Sequence, residues 1–109
     1  MGELVLIINK HTLTWIPPRF GEFYLAVEQY SKVNETIVHF CCEEVDRSTI
    51  MGHKYIPAIY TVIKDGVCTS NQLEYIKLDI NGPVHFYFTN QNNEIMEGDT
   101  PFMRLLIKY

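Results

Sequence analysis

The sequence predicts a mainly β fold, a two-layer antiparallel β-sandwich formed by one domain spanning residues 1–109, with one short α-helix near residues 21–32. Three observations carry this. From Glu35 onward, apolar residues recur at every second position, the period of a strand. Each run is short and closes on a cluster of turn-forming residues. No helical pattern separates the runs of the second half, as parallel βαβ units would require.

The elements follow in order. Leu4–Ile8 is a short, fully apolar run rich in β-branched residues, the pattern of a buried strand. It resumes through Thr12–Trp15. Pro17 and Pro18 then break regular structure, because neither can donate to a ladder. Phe20, Phe23, Tyr24, Val27 and Tyr30 or Ser31 recur at spacings of three and four, which predicts a helix over 21–32. Glu22 in its first turn and Lys32 near its end suit the helix dipole. Thr36–Val45 returns to period two, with Val38, Phe40 and Cys42 on one face and Ile37, His39 and Cys41 on the other. Tyr55–Ile63 is a strand in which Pro57 signals an edge or a bulge. Lys64-Asp65-Gly66 turns the chain into a strand over Leu73–Ile80, and Asn81-Gly82-Pro83 turns it again. Val84, Phe86 and Phe88 alternate with His85, Tyr87 and Thr89. Two further turns, Asn90–Asn93 and Glu97–Asp99, lead to the final strand, Phe102–Tyr109.

Composition narrows the function classes. The chain has 109 residues, is 47% hydrophobic and 20% charged, and carries a formal net charge of −4. An acidic chain without a basic run is poorly suited to a phosphate backbone, so no nucleic-acid partner is expected. No apolar stretch of about 18 residues is present to span a membrane, and no signal-peptide pattern opens the chain. The cysteines are Cys41, Cys42 and Cys68, an odd set that is no disulfide framework. Reduced, partly buried thiols point to a reducing intracellular compartment. Cys41 and Cys42 face opposite ways along a strand and so share no metal. The histidines, His11, His39, His53 and His85, show no metal-ligand spacing. No cofactor or metal is expected. Asn34-Glu35-Thr36 forms a glycosylation sequon that matters only in a secreted chain.

Two resemblances bear on identity. Leu4–Ile8, the Trp15-Ile16-Pro17-Pro18 turn and the 21–32 segment precede a block of Glu43–Gly52 followed by Ile56-Pro57-Ala58-Ile59. Pro83–Ile95 leading into Phe102–Tyr109 ends the chain. This series resembles the β-sandwich domain of structural proteins from Polinton-type elements and adintovirus-like DNA viruses. Asn92-Asn93 stands where that family usually has Asp-Gly. The resemblance implies a virion or mobile-element structural component. A second resemblance is to thioredoxin. Trp15-Ile16-Pro17-Pro18-Arg19 is similar to its Trp-Cys-Gly-Pro-Cys segment, and Tyr55-Ile56-Pro57-Ala58 to its cis-proline strand. Ile16 and Arg19 replace both cysteines, so this resemblance implies a redox-inactive, protein-binding module.

No catalytic constellation emerges. Glu43, Glu44 and Asp46 read as a solvated strand end. Cys42 with His39 or His53 lacks an identifiable third partner, and no Gly-rich phosphate loop is present. A non-enzymatic structural or protein-interaction domain, without a small-molecule substrate, is the leading reading. Seven tyrosines exceed what a core takes up without hydroxyl partners, so some are expected at a contact rim. The candidate interaction residues are Tyr87, Arg104, Leu106 and Lys108, with self-association or a protein partner as the outcome. The last three belong to a final strand that would invite pairing if it formed a sheet edge.

Overall fold

The computed structural model describes residues 2–9, 13–32, 34–44, 49–51, 54–64, 74–98 and 100–109. Among them are the strands β1 (Glu3–Ile8), β2 (Thr14–Trp15), β3 (Gly21–Tyr30), β4 (Ile37–Cys42) and β5 (Thr49–Met51). These are followed by β6 (Lys54–Ile56), β7 (Ala58–Ile63), β8 (Ile76–Ile80), β9 (Val84–Thr89) and β10 (Met103–Lys108). One four-stranded sheet has the order β1-β10-β3-β8, and the other β2-β9-β4-β7. β5 and β6 form a separate two-stranded ribbon. Every strand pairing is antiparallel.

The two sheets face each other across one core. The first sheet contributes Ile8, Phe23, Leu25, Leu78, Met103, Leu105 and Ile107, and the second Trp15, Val38, Phe40, Val62, Val84, Phe86 and Phe88. Alternation along each strand puts these residues inside and their neighbours outside. Phe40 stacks on Phe86 and Phe88, both at 5.1 Å between ring centroids. Trp15 meets Phe23 edge-on at 5.6 Å, and Tyr60 meets Tyr30 at 5.7 Å, so aromatic pairs bridge the sheets in two places.

The expected helix over 21–32 is instead the long strand β3. The physical reason is a β-bulge. Leu105 lies opposite Val27 and Arg104 opposite Gln29, which leaves Glu28 as the extra residue. Inward positions therefore run Phe23, Leu25, Val27 and then Tyr30, and that final step of three imitates a helical spacing. Phe20 and Tyr24, taken for part of an apolar helix face, are 67% and 42% exposed. Gly21 opens the strand at φ 124°, a conformation that disfavours a side chain.

The final strand is also not an edge. β10 lies between β1 and β3, paired on both sides. An edge at Phe102–Tyr109 is thereby excluded, since the N-terminal strand docks on it and takes the outer place. The Tyr55–Ile63 run is divided at Pro57 into β6 and β7, and β7 does form an edge, with Ile59 as a bulge residue. The parallel pairing of Leu4–Ile8 that a thioredoxin-like sheet requires is absent from these ladders. Among the described residues no helix is long and apolar enough to cross a membrane. Cys68, His11, His53, Asp46 and the turn residues Asp65, Gly66 and Asp99 lie outside the described residues.

Candidate functional site

The N-terminal strand is held by its own chain end. Gly2 donates its N–H to the carbonyl of Tyr109 at 2.6 Å, and Tyr109 donates back to Gly2 at 2.9 Å. A Cβ on Gly2 would sit 2.3 Å from the Tyr109 ring, so this close approach needs glycine. The doubly bonded Gly2–Tyr109 pair sets the alternation of the whole ladder. Leu4, Leu6 and Ile8, opposite Ile107, Leu105 and Met103, also occupy the hydrogen-bonded positions. Glu3, Val5 and Ile7 occupy the others, and their N–H and C=O groups point away from β10, out of the open edge.

The side chains of those three residues lie on the outer face of the sheet. Glu3 is exposed, Val5 is 46% exposed and Ile7 38%. Leu4 and Leu6 are half-buried on the inner face, packed against the core. Residues 4–8 thus present five consecutive apolar side chains, without proline, charge or bulge, on a strand with one unpaired side. Among the described residues, the other three edges of the two four-stranded sheets are protected. β8 carries Lys77 and Asp79 on its outer face, and Lys77 pairs with Glu22 at 3.1 Å. β7 is preceded by Pro57 and bulged at Ile59, and β2 is two residues long. Charge, proline, bulges and short length are the usual guards against strand addition.

The candidate interaction residues divide between two places. Arg104, Leu106 and Lys108 line the outer face of β10, directly beside the open edge, opposite Ile7, Val5 and Glu3. Arg104 Nε donates to Glu28 at 2.5 Å, and the Lys108 ammonium lies 4.5 Å from the Tyr75 ring centroid. Leu106 is half-buried, opposite Val5 on one side and the buried Ala26 on the other. A shallow groove lined by Ile7, Gln29, Tyr30, Ser31, Phe102 and Arg104 continues this surface. Tyr87 is elsewhere, on the outer face of the second sheet, packed against Cys41 and Ala58. Val5 and Ile7 are the residues sequence reasoning missed as contacts. Their only sequence signal was the uninterrupted apolar run, which reads as burial.

On the outer face of the second sheet, the polar side chains of His39 and Thr89 and the Cys41 thiol are buried. His39 is buried, its Nδ1 2.9 Å from Thr61 Oγ1, and burial lowers its pKa. Burial pushes the Cys41 thiol up to about 11 and the Tyr87 hydroxyl up to about 12. A thiol in that range holds almost no thiolate at neutral pH and is a poor nucleophile. Cys42 is turned the other way, into the main core, and its thiol donates to the Glu44 carboxylate at 3.4 Å.

One mixed cluster has a ligand-like composition. Glu43, Glu44 and His85 each bring one potential metal-ligand atom within 4.8 Å of the others. Glu44, however, is already engaged. Its carboxylate accepts the His85 backbone N–H at 3.1 and 3.2 Å and lies 2.8 Å from His85 Nδ1. Burial pushes its pKa up, but the His85 hydrogen bonds outweigh that and hold it below the usual range. The arrangement ties the end of β4 to the start of β9.

Comparison with family models, with curated proteins and with solved structures yields no match.

Proposed function

We propose that this chain is a non-enzymatic structural or protein-interaction domain that accepts a partner β-strand along β1. One observation carries the reading: the backbone donors and acceptors of Glu3, Val5 and Ile7 face outward from the least guarded edge of the two described four-stranded sheets. Strand addition uses this kind of surface. Main-chain bonds supply affinity, at about 0.5–1.5 kcal/mol net each, and alternate side chains supply selectivity. Val5, Ile7 and Leu106 provide the apolar contact, while Glu3, Arg104 and Lys108 provide a charged rim.

A proline substitution tests this with little risk to the fold. The Val5 N–H does not bond to β10, so Val5→Pro removes only an outward donor. The probe is a short synthetic peptide of alternating valine and threonine with a lysine at each end. Titrated into the protein, it is expected to shift the amide resonances of Glu3, Val5 and Ile7 more than those of β7 or β8. Val5→Pro should abolish the shifts elsewhere on β1 without lowering the melting temperature. Peptide-induced shifts centred on β7 or β8, or none at saturating peptide, would overturn the proposal.

A further inference from the structure

We infer that the strand β1 accepts is β1 of a second copy of this chain, paired antiparallel about a two-fold axis through Val5. This rests on the reading of β1 as a strand-accepting edge and names its partner.

The first argument is a mismatch between pattern and place. Leu4–Ile8 is apolar at every position, the pattern of a strand inside a sheet and not of a solvated edge. A solvated edge strand alternates instead. In the single chain β1 has one free side, with Val5 46% and Ile7 38% exposed. A second β1 beside the first places the strand at the centre of a continuous eight-stranded sheet, flanked on both sides, with the β8 edges and their Lys77 and Asp79 outermost.

The second argument is self-complementarity. The outward-facing residues are Glu3, Val5 and Ile7, symmetric about Val5. A two-fold axis there sets Val5 opposite the partner's Val5 and Glu3 opposite the partner's Ile7. Each pair exchanges two bonds, so the three pairs form six hydrogen bonds and leave no outward group of these residues unmatched. On the inner face Leu4 then lies beside the partner's Leu6, which extends each core towards the other.

The third argument is charge. The ladder positions Lys108 opposite Glu3 and Arg104 opposite Ile7. Across the two-fold, the outer-face row therefore runs Lys108, Glu3, the partner's Ile7 and the partner's Arg104. Each of the two Glu3 carboxylates has a cation on its own side and another one strand beyond its apolar neighbour. β1 is apolar at residues 4–8, and in this register its Glu3 meets no like charge.

Cysteine cross-linking with sedimentation tests the register. Opposed residues of a hydrogen-bonded pair have Cα atoms about 5.5 Å apart, within disulfide reach. Glu3 and the partner's Glu3 would be offset by four residues, about 14 Å along the strand. Val5→Cys is therefore expected to form a covalent dimer on mild oxidation, well above the parent chain treated identically. Glu3→Cys and Ile7→Cys should each cross-link poorly alone and efficiently when mixed. The parent chain should sediment at twice its 12.8 kDa mass as concentration rises. A parent chain that stays monomeric, with Val5→Cys no more cross-linked than the parent, would overturn the inference. The valine–threonine peptide then separates the two failures. If it still binds β1, only the choice of partner was wrong; if it does not, the strand-accepting edge fails as well.

Discussion

The two edges of the first sheet, β1 and β8, differ in how they are guarded. β8 alternates: Leu78 and Ile80 point inward, and Lys77 and Asp79 stand on the solvent face. Lys77 is bridged to Glu22, which also accepts the Tyr24 hydroxyl at 3.0 Å, and these contacts lower the Glu22 pKa. β1 does not alternate. Its outer face carries Val5 and Ile7 where β8 carries charge. Burial of the inner face is common to both edges, so the core does not explain the difference. It lies in what each edge presents to another chain, and a strand that keeps apolar residues on a free edge is suited to being covered.

Substitutions that separate the core face from the edge face sharpen this comparison. The largest effect is expected inside. Leu105→Ala empties a fully buried site opposite Leu6 and should cost about 2–5 kcal/mol in urea unfolding. A near-neutral result would mean that β1 does not seal the core there. Next is Val5→Lys, which places a charge on the proposed axis. Self-association should weaken by about 100-fold or more, equivalent to about 2.7 kcal/mol, while unfolding moves by only about 0.5 kcal/mol. Light scattering over a dilution series, paired with melting curves, reads both quantities. Leu106→Lys, one strand in from the edge, is smaller again. It should cost about 1 kcal/mol in stability and weaken association less than Val5→Lys does, because Leu106 only flanks the contact.

The second sheet provides a pH test unconnected with the edge. Burial lowers the His39 pKa, so the unfolded chain binds its proton more readily than the folded one. Stability from this group is present above the unfolded value, about 6.5, and is lost as pH falls through it. Urea midpoints should therefore decrease between pH 7.5 and 5.5, and His39→Gln should flatten that slope. Glu44 acts in a lower window. Its depressed pKa contributes stability that is lost only as pH falls below the ordinary carboxylate range. The smallest effect is expected at Lys77→Val. Losing one exposed ion pair should leave the melting curve nearly unchanged, but turbidity should rise as the guarded edge becomes adhesive.

Much of the sandwich was legible because its strands obey period two without interruption. Val84–Thr89 and Met103–Lys108 alternate cleanly, and each inward residue the pattern selects is buried. β3 was not legible, because one extra residue at Glu28 turned a spacing of two into three and imitated a helix. β5 escaped notice, and β6 was read as the start of one Tyr55–Ile63 strand, because three-residue strands are too short to show a period of their own. The candidate site was half legible. Arg104, Leu106 and Lys108 do lie beside the open edge, yet the edge belongs to β1. Which strand is outermost depends on pairing between residues about 100 positions apart, such as Glu3 with Lys108, and local pattern does not encode it. Tyr87 was chosen for its ring, and it proved to lie on the other sheet, packed against the buried Cys41 and Ala58.

Amide hydrogen exchange followed as a function of protein concentration tests the central claim most directly. In dilute solution, the N–H groups of Leu4, Leu6 and Ile8, bonded to β10, should be protected, and those of Glu3, Val5 and Ile7 should exchange rapidly. As concentration rises, those three should become protected together, while the amides of the β8 edge stay unchanged. Protection of Glu3, Val5 and Ile7 already complete in the dilute monomer, or concentration-dependent protection appearing at Ile76–Ile80 instead, would contradict the account.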